Sequence, residues 1–382
     1  MTADAAPQRD TPQAAEMRNA LAELNELRIQ GSEAKEAGGE KWDAFSEAVE
    51  RILARIEPLC TPAAVEDLEF VADLRPEGWG EMGGGIRTLG TWASGKIRRD
   101  LKAGRYEEAR DALLAVLCAG RAYERAGAPR DLEQTVWMES LLSGPMAYMV
   151  DHAPDERFLR GYIAGLQNAE RMTAPLEQFV RLERYRVAQL MEDDDFIGKL
   201  RAGFDMDEVR YDAEDGGEDL ASVWFWWLKR CEGIHGLDAM YDRLAANARR
   251  PLNRPSDPQI EESENPLVQR LDRSEAWLAL AGGYARRSTR VRLLMLEAAG
   301  RAFEMGNRMF TPDDPDSSHP INSEFGVDPY TGERFLRRID GRWYSLGADD
   351  VDQGGEGSDM WGRNGDILYK NYREGRVVEY VP

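Results

Sequence analysis

The chain is 382 residues long, 42% hydrophobic and 31% charged, and its 49 Lys and Arg against 70 Asp and Glu leave a formal charge of −21. That length accommodates two or three domains with cores of their own, and that composition describes a folded globular protein, not a disordered one. A surface so acidic repels phosphate backbones, which argues against a nucleic-acid partner and is compatible with cation binding.

No run of about 18 apolar residues occurs, so no membrane span is expected. The opening MTADAAPQRDTPQAAEM has no basic stretch followed by an apolar one, so it does not read as a secretion signal. The reading is therefore either a cytoplasmic protein or an envelope protein whose leader or anchor lies outside this chain. Cys60, Cys118 and Cys231 are far apart and lack metal-ligand spacing. Their odd number argues against a full disulfide framework and leaves one pair open.

In chain order, residues 1–15 read as a disordered tail and 16–249 as a helical domain. Apolar residues recur at helical spacing from Ala14 to Ile29 and from Trp42 to Leu59, and Gly31 and Gly38–Gly39 separate the two runs as a helical hairpin. A short helix is expected from Pro62 to about Ala72. Gly78 to Gly85, GWGEMGGG, contains the letters of a dinucleotide fingerprint. The preceding segment reads as helix where a strand is required, so an inter-helix loop is expected instead.

Residues 86–126 read as a helix pair turned at Lys102-Ala103-Gly104, with Tyr106, Ala109, Leu113, Val116, Leu117 and Gly120 on one apolar face. Its AGRYEEARDALL string looks like one tetratricopeptide helix, but no 34-residue period follows. Further helices are expected over 131–151, with a kink at Pro145, over 155–169, and from Thr173-Pro175 onward. The acidic run Glu192 to Asp195 reads as a hydrated helix end.

Trp224, Phe225, Trp226 and Trp227 cannot all face one side of a helix, so they belong to a core or a partner surface, with an aromatic ligand pocket as the alternative. Glu232 and His235 have the E-x-x-H spacing of di-iron bundles, but the second copy such a site needs is missing. Residues 250–266, RPLNRPSDPQIEESENP, are the best linker in the chain.

Beyond the linker, 267–382 reads as an α+β module. Its helix over 267–309 is expected to break at Gly282-Gly283 and to continue with an apolar stripe at Val291, Leu294, Met295, Ala298, Ala302 and Met305. Asp328 to Gly332 is a turn, and short strands are expected at Phe335–Ile339, Arg342–Leu346, Ile367–Asn371 and Val377–Val381, with Asp340-Gly341 as a tight turn. The fold class is therefore mainly α: a multi-helix bundle followed by a long helix packed on a three- to four-stranded antiparallel sheet.

Between the second and third strands lie Asp349, Asp350, Asp352, Glu356, Asp359 and Asp366 among the glycines Gly347, Gly354, Gly355 and Gly357. Calcium takes six to eight oxygens from carboxylates, carbonyls and water, and a glycine-rich loop can turn its carbonyls inward. The spacing is not that of an EF-hand, and composition alone fits an ordinary polar hairpin loop slightly better.

The strings DPYTGERF, YSLGAD, GGEG and GDI resemble the C-terminal part of the major pseudopilins of type II secretion systems. The resemblance implies structural calcium held by Asp349 and by a carbonyl at or near Leu346, with Asp366 closing the loop. It departs from that family in the inserted DMWGRN, which lets Asp359 compete for the closing role, and Asp352 is a further candidate ligand. It covers roughly residues 285–370. The helical portion, 86–191, is similar to uncharacterised bacterial envelope proteins that join a helical domain to such a tail and usually carry an N-terminal membrane anchor.

Three functions follow as expectations: a non-enzymatic envelope, assembly or scaffold protein with a calcium-stabilised C-terminal module; a helical module binding a ligand, a protein partner or another copy of itself through Trp224–Trp227; or an enzyme. For the last, the sequence carries no nucleophile elbow, zinc motif or Walker loop. Carboxylates such as Glu139 and Glu183, within or beside apolar helical faces, suggest buried groups that could be catalytic, although an ion-paired structural Glu is the commoner use.

Overall fold

The computed structural model describes residues 11–68, 76–125, 129–192, 238–246, 248, 274–306, 325–347, 351–355, 366–369, 372–373 and 376–377. The chain is mainly helical. The helices are α1 (Pro12–Glu26), α2 (Arg28–Ala37), α3 (Gly39–Ile56), α4 (Pro76–Lys102), α5 (Tyr106–Arg125), α6 (Pro129–Asp151), α7 (Glu156–Arg171), α8 (Leu176–Glu192) and the long α9 (Ser274–Met305). Two short 3₁₀ turns, Glu57–Leu59 and Ala64–Leu68, connect α3 toward α4. Among the described residues no helix is long and apolar enough to cross a membrane.

Local chemistry sets several boundaries. Thr11 accepts from the Ala14 N–H at 3.1 Å and Pro12 occupies the first helical turn, so α1 starts two residues before the expected Ala14. Asp155 caps α7 by accepting from the Phe158 N–H at 2.7 Å. Gly104, at φ 72°, makes the α4–α5 turn in the left-handed region where a side chain is disfavoured. Pro145 lies inside α6.

Three expected breaks are absent. Gly31 sits within α2, and the first break falls at Leu27 instead; a Cβ on Gly31 would lie 2.7 Å from the Phe45 ring, so the glycine admits that ring instead of ending a helix. The glycines of GWGEMGGG run through α4. A Cβ on Gly84 would meet Asn25 Oδ1 at 1.8 Å, and one on Gly85 would meet the Leu21 carbonyl oxygen at 2.4 Å. Their purpose is close approach of α1 and α4, which outweighs the roughly 1 kcal/mol a mid-helix glycine costs. Gly282-Gly283 likewise continues α9, whose neighbouring turns pack on α6 and α7.

The core is one cluster, running from Ala14, Met17, Leu21 and Leu24 of α1 through α3–α7 to Leu293, Leu294, Met295 and Ala298 of α9, and on to Phe325, Tyr330 and Ile367. Of the expected α9 stripe, Met305 alone is exposed, at the helix end.

The β structure is small. β1 (Leu336–Arg337) pairs antiparallel with β2 (Trp343–Tyr344) in the register Leu336↔Tyr344, and β3 (Tyr372–Arg373) pairs with β4 (Arg376–Val377). Isolated bridges join Val327 to Arg334 and Ser345 to Ile367. The first strand is shorter than the expected Phe335–Ile339 because the Arg338 carbonyl already accepts from the Gly341 N–H at 3.0 Å, which carries Ile339 into the exposed turn.

Candidate functional site

The C-terminal loop is built on α9. Trp343 of β2 donates its N–H to Glu297 Oε1 of α9 at 2.9 Å. The Asp328–Gly332 turn docks beside it: Tyr330 donates its hydroxyl to the Gly282 carbonyl at 2.9 Å, and Arg292 donates to the Val327 carbonyl at 2.8 Å. Asp328 is buried; its carboxylate accepts from the Tyr330 N–H at 3.0 Å. Burial pushes its carboxyl above the usual range, against the pull of the hydrogen bonds it accepts. Tyr369 donates to Asp151 Oδ1 at 3.1 Å, tying the end of the loop to α6.

Within the loop, Ser345 and Ile367 exchange both backbone hydrogen bonds, at 3.0 and 2.8 Å, and so bring Leu346 and Asp366 to one end of it. Asp366 is fully buried; its Oδ2 accepts from the N–H groups of Gln353 at 3.1 Å and Gly355 at 2.6 Å, and Oδ1 is buried as well. Asp352 is exposed, and its Oδ1 accepts from the Gly354 N–H at 2.7 Å and the Tyr344 hydroxyl at 3.1 Å. Burial, and then Asp352, raise the Tyr344 hydroxyl pKa. Gly354 and Gly355, at φ 73° and 75°, let two successive N–H groups turn toward these carboxylates. A Cβ on Gly355 would lie 2.5 Å from Arg338, whose guanidinium donates to the Gly355 carbonyl at 2.5 Å.

Of the five expected calcium ligands, Leu346, Asp352 and Asp366 thus share one loop, while Asp349 and Asp359 lie outside the described residues. Asp352 and Asp366 each place one carboxylate oxygen on backbone N–H groups. Among the described residues no three Asp, Glu, His or Cys side chains are grouped closely enough to hold a metal by themselves. Trp224, Phe225, Trp226, Trp227, Glu232 and His235 also lie outside the described residues.

A second polar constellation sits inside the helical body. Arg121 and Glu124 of α5, Thr135 and Glu139 of α6, Glu170 of α7 and Arg287 of α9 are all buried. Arg287 pairs with both oxygens of Glu124, at 3.0 Å through Nη2 and more closely through Nη1, and Thr135 also donates to Glu124. Arg121 pairs with Glu139 at 2.8 Å and approaches Glu170 at 3.8 Å; Arg292, at the edge, reaches Glu170 at 3.3 Å. Three carboxylates therefore face three guanidinium groups, each pair costly to desolvate and costly to break.

Burial pushes the Glu139 carboxyl up, and Arg121 and Arg287 pull it back down. The other carboxylates that act on it are Glu124 and Glu170. The arrangement can fix the crossing of α5, α6, α7 and α9, since every carboxylate is committed to a guanidinium. Sequence reasoning missed all of it except Glu139. The readable signal was charge inside apolar helical runs, as in LCAGRAYER and ARRSTRVRLL.

Comparison with protein-family models, with curated proteins and with solved structures gives no match for this chain.

Proposed function

We propose that this chain is a non-enzymatic envelope or assembly scaffold whose C-terminal part holds structural calcium. In this reading α9 backs a three- to four-stranded antiparallel sheet of the kind found in the major pseudopilins, and the loop from Leu346 to Asp366 binds the ion. The ligands would be the Leu346 carbonyl and the carboxylates of Asp349, Asp352, Asp359 and Asp366. Calcium would supply a charge that holds the acidic loop against its own repulsion.

The observation that supports this reading best is the folding of the loop around Asp366, with positive-φ glycines turning N–H groups onto that carboxylate and onto Asp352. The pairing of Ser345 with Ile367, next to the β1–β2 pair, supports a sheet that extends to a third strand.

The test is thermal unfolding with calcium, with magnesium, and with a chelator. Saturation at about a hundred times the dissociation constant stabilises by about 2.7 kcal/mol. We expect a rise in Tm with calcium, little with magnesium, and loss of the shift in Asp349→Ala. No shift with calcium in the full-length protein would sink the proposal.

A further inference from the structure

A different set of elements forms a groove in the helical body. A cavity of about 610 Å³ opens between α3, α4, α5 and α7, within the roughly 300–1,000 Å³ typical of ligand-accepting clefts. Its floor is apolar, made chiefly by Leu53, Ala112, Leu114 and Cys118. Trp92 closes the inner end, its ring fixed by an N–H bond to Ser46 Oγ at 2.8 Å.

The rim is acidic on both walls. Glu50 and Glu57 line the α3 side seven residues apart, about 10 Å along a helix axis. Glu108 and Asp111 line the α5 side three residues apart, on one face of that helix. Lys96 is the one cation among the lining residues, and it is engaged by Asp100 at 3.1 Å and by Glu50 at 3.9 Å. Asp111 is held by Arg110 at 2.8 Å. Among the described residues Glu57 and Glu108 have no ion-pair partner, and both are exposed.

We propose that this groove docks a basic amphipathic helix of another protein, its apolar stripe on the Leu53–Leu114 floor and its Lys or Arg side chains against the two carboxylate walls. An apolar trough between two rows of like charge is the complement of such a helix, whose apolar face is flanked by cations. The net charge of −21 steers cationic partners in the same direction and disfavours nucleic acid and anionic lipid surfaces. Cys118, half-buried in the floor, is a built-in reporter, since an occupant would cover its thiol.

The probe is a synthetic helical peptide of Leu and Lys, fluorescently labelled and titrated into the full chain, with its Leu and Glu counterpart as the control. Alkylation of Cys118 by iodoacetamide is followed by mass spectrometry with and without peptide. The proposal expects binding of the Lys peptide that weakens as salt rises, several-fold slower alkylation of Cys118 in its presence, and no binding of the Glu peptide. The variant Glu57→Gln/Glu108→Gln should weaken binding by about threefold to tenfold, the size of two exposed ion pairs. The control Glu33→Gln/Glu304→Gln removes the same charge from exposed positions off the groove and should change it little.

Equal weakening by both double variants, or binding that leaves Cys118 as reactive as before, would mean diffuse attraction to an acidic surface and overturn the proposal. Failure of the Lys peptide to bind, or equal binding of the Glu peptide, would overturn it as well. None of these outcomes depends on calcium, so the groove and the C-terminal loop stand or fall separately.

Discussion

Glu297 gives the sharpest test of how β2 is seated on α9. It lies on α9 between core residues Leu296 and Ala298, and it accepts the Trp343 N–H of β2. Burial pushes its carboxyl from an ordinary 4.5 up to about 7; the Trp343 N–H and Arg342 pull it down, while Asp151 and Asp340 push it further up. The native state therefore keeps this proton between about pH 4.5 and 7, where the unfolded chain releases it. The contribution of Glu297 to stability falls as pH rises through that window and levels off above it. Two and a half pH units correspond to about 3 kcal/mol at 1.36 kcal/mol each.

Glu297→Gln preserves an oxygen for the Trp343 N–H and abolishes the ionisation. It should come within about 1 kcal/mol of the parent near pH 5 and exceed it by up to about 3 kcal/mol at pH 8. Urea unfolding of both proteins at half-unit steps from pH 5 to 8 measures that difference, since the remaining carboxylates titrate alike in each. A stability difference independent of pH would refute the reasoning, because it would mean that Glu297 ionises alike in the folded and unfolded chains.

Two further outcomes follow from the helical body. Gly85→Ala forces a Cβ to 2.4 Å from the Leu21 carbonyl oxygen and should lower stability by about 1–3 kcal/mol as α1 and α4 are pushed apart, whereas Gly282→Ala, with nothing within 4 Å of the new Cβ, should gain roughly 0.5–1 kcal/mol of helix propensity. Thermal melts of the pair would separate close packing from propensity, and equal effects would sink the account of the α4 glycines. Arg287→Met leaves Glu124 buried without its main partner and should cost about 3–5 kcal/mol; denaturant unfolding measures it, and a change below 1 kcal/mol would show the buried network to be readily rearranged.

The helices of the body were legible because their apolar residues recur at one period. Ala109, Leu113, Val116 and Leu117 are buried as that period requires, and the Lys102–Gly104 turn and the Asp340-Gly341 turn follow from glycine's access to positive φ. Where reading failed, one residue type had two opposed uses. A glycine marks a break when it must adopt a left-handed conformation, as at Gly104, and a close contact when it stays helical, as at Gly85 facing Leu21 or Gly95 against the Trp42 ring. Only the neighbouring helix distinguishes the two.

By itself, then, the sequence determined the helical class, most helix spans, the acidic surface and the glycine-rich loop with Asp352 and Asp366, because each is written in local composition or period. Tertiary structure alone decided that Glu139 meets Arg121 and Arg287, that Glu50, Glu57, Glu108 and Asp111 frame one groove, and that Glu297 is sealed beneath β2. Those partners lie on different elements, and the separation reaches 163 residues for Arg287 and Glu124. Charge placed inside an apolar run announces that some partner must exist, since its desolvation has to be offset. Which partner it finds is settled only when the helices cross.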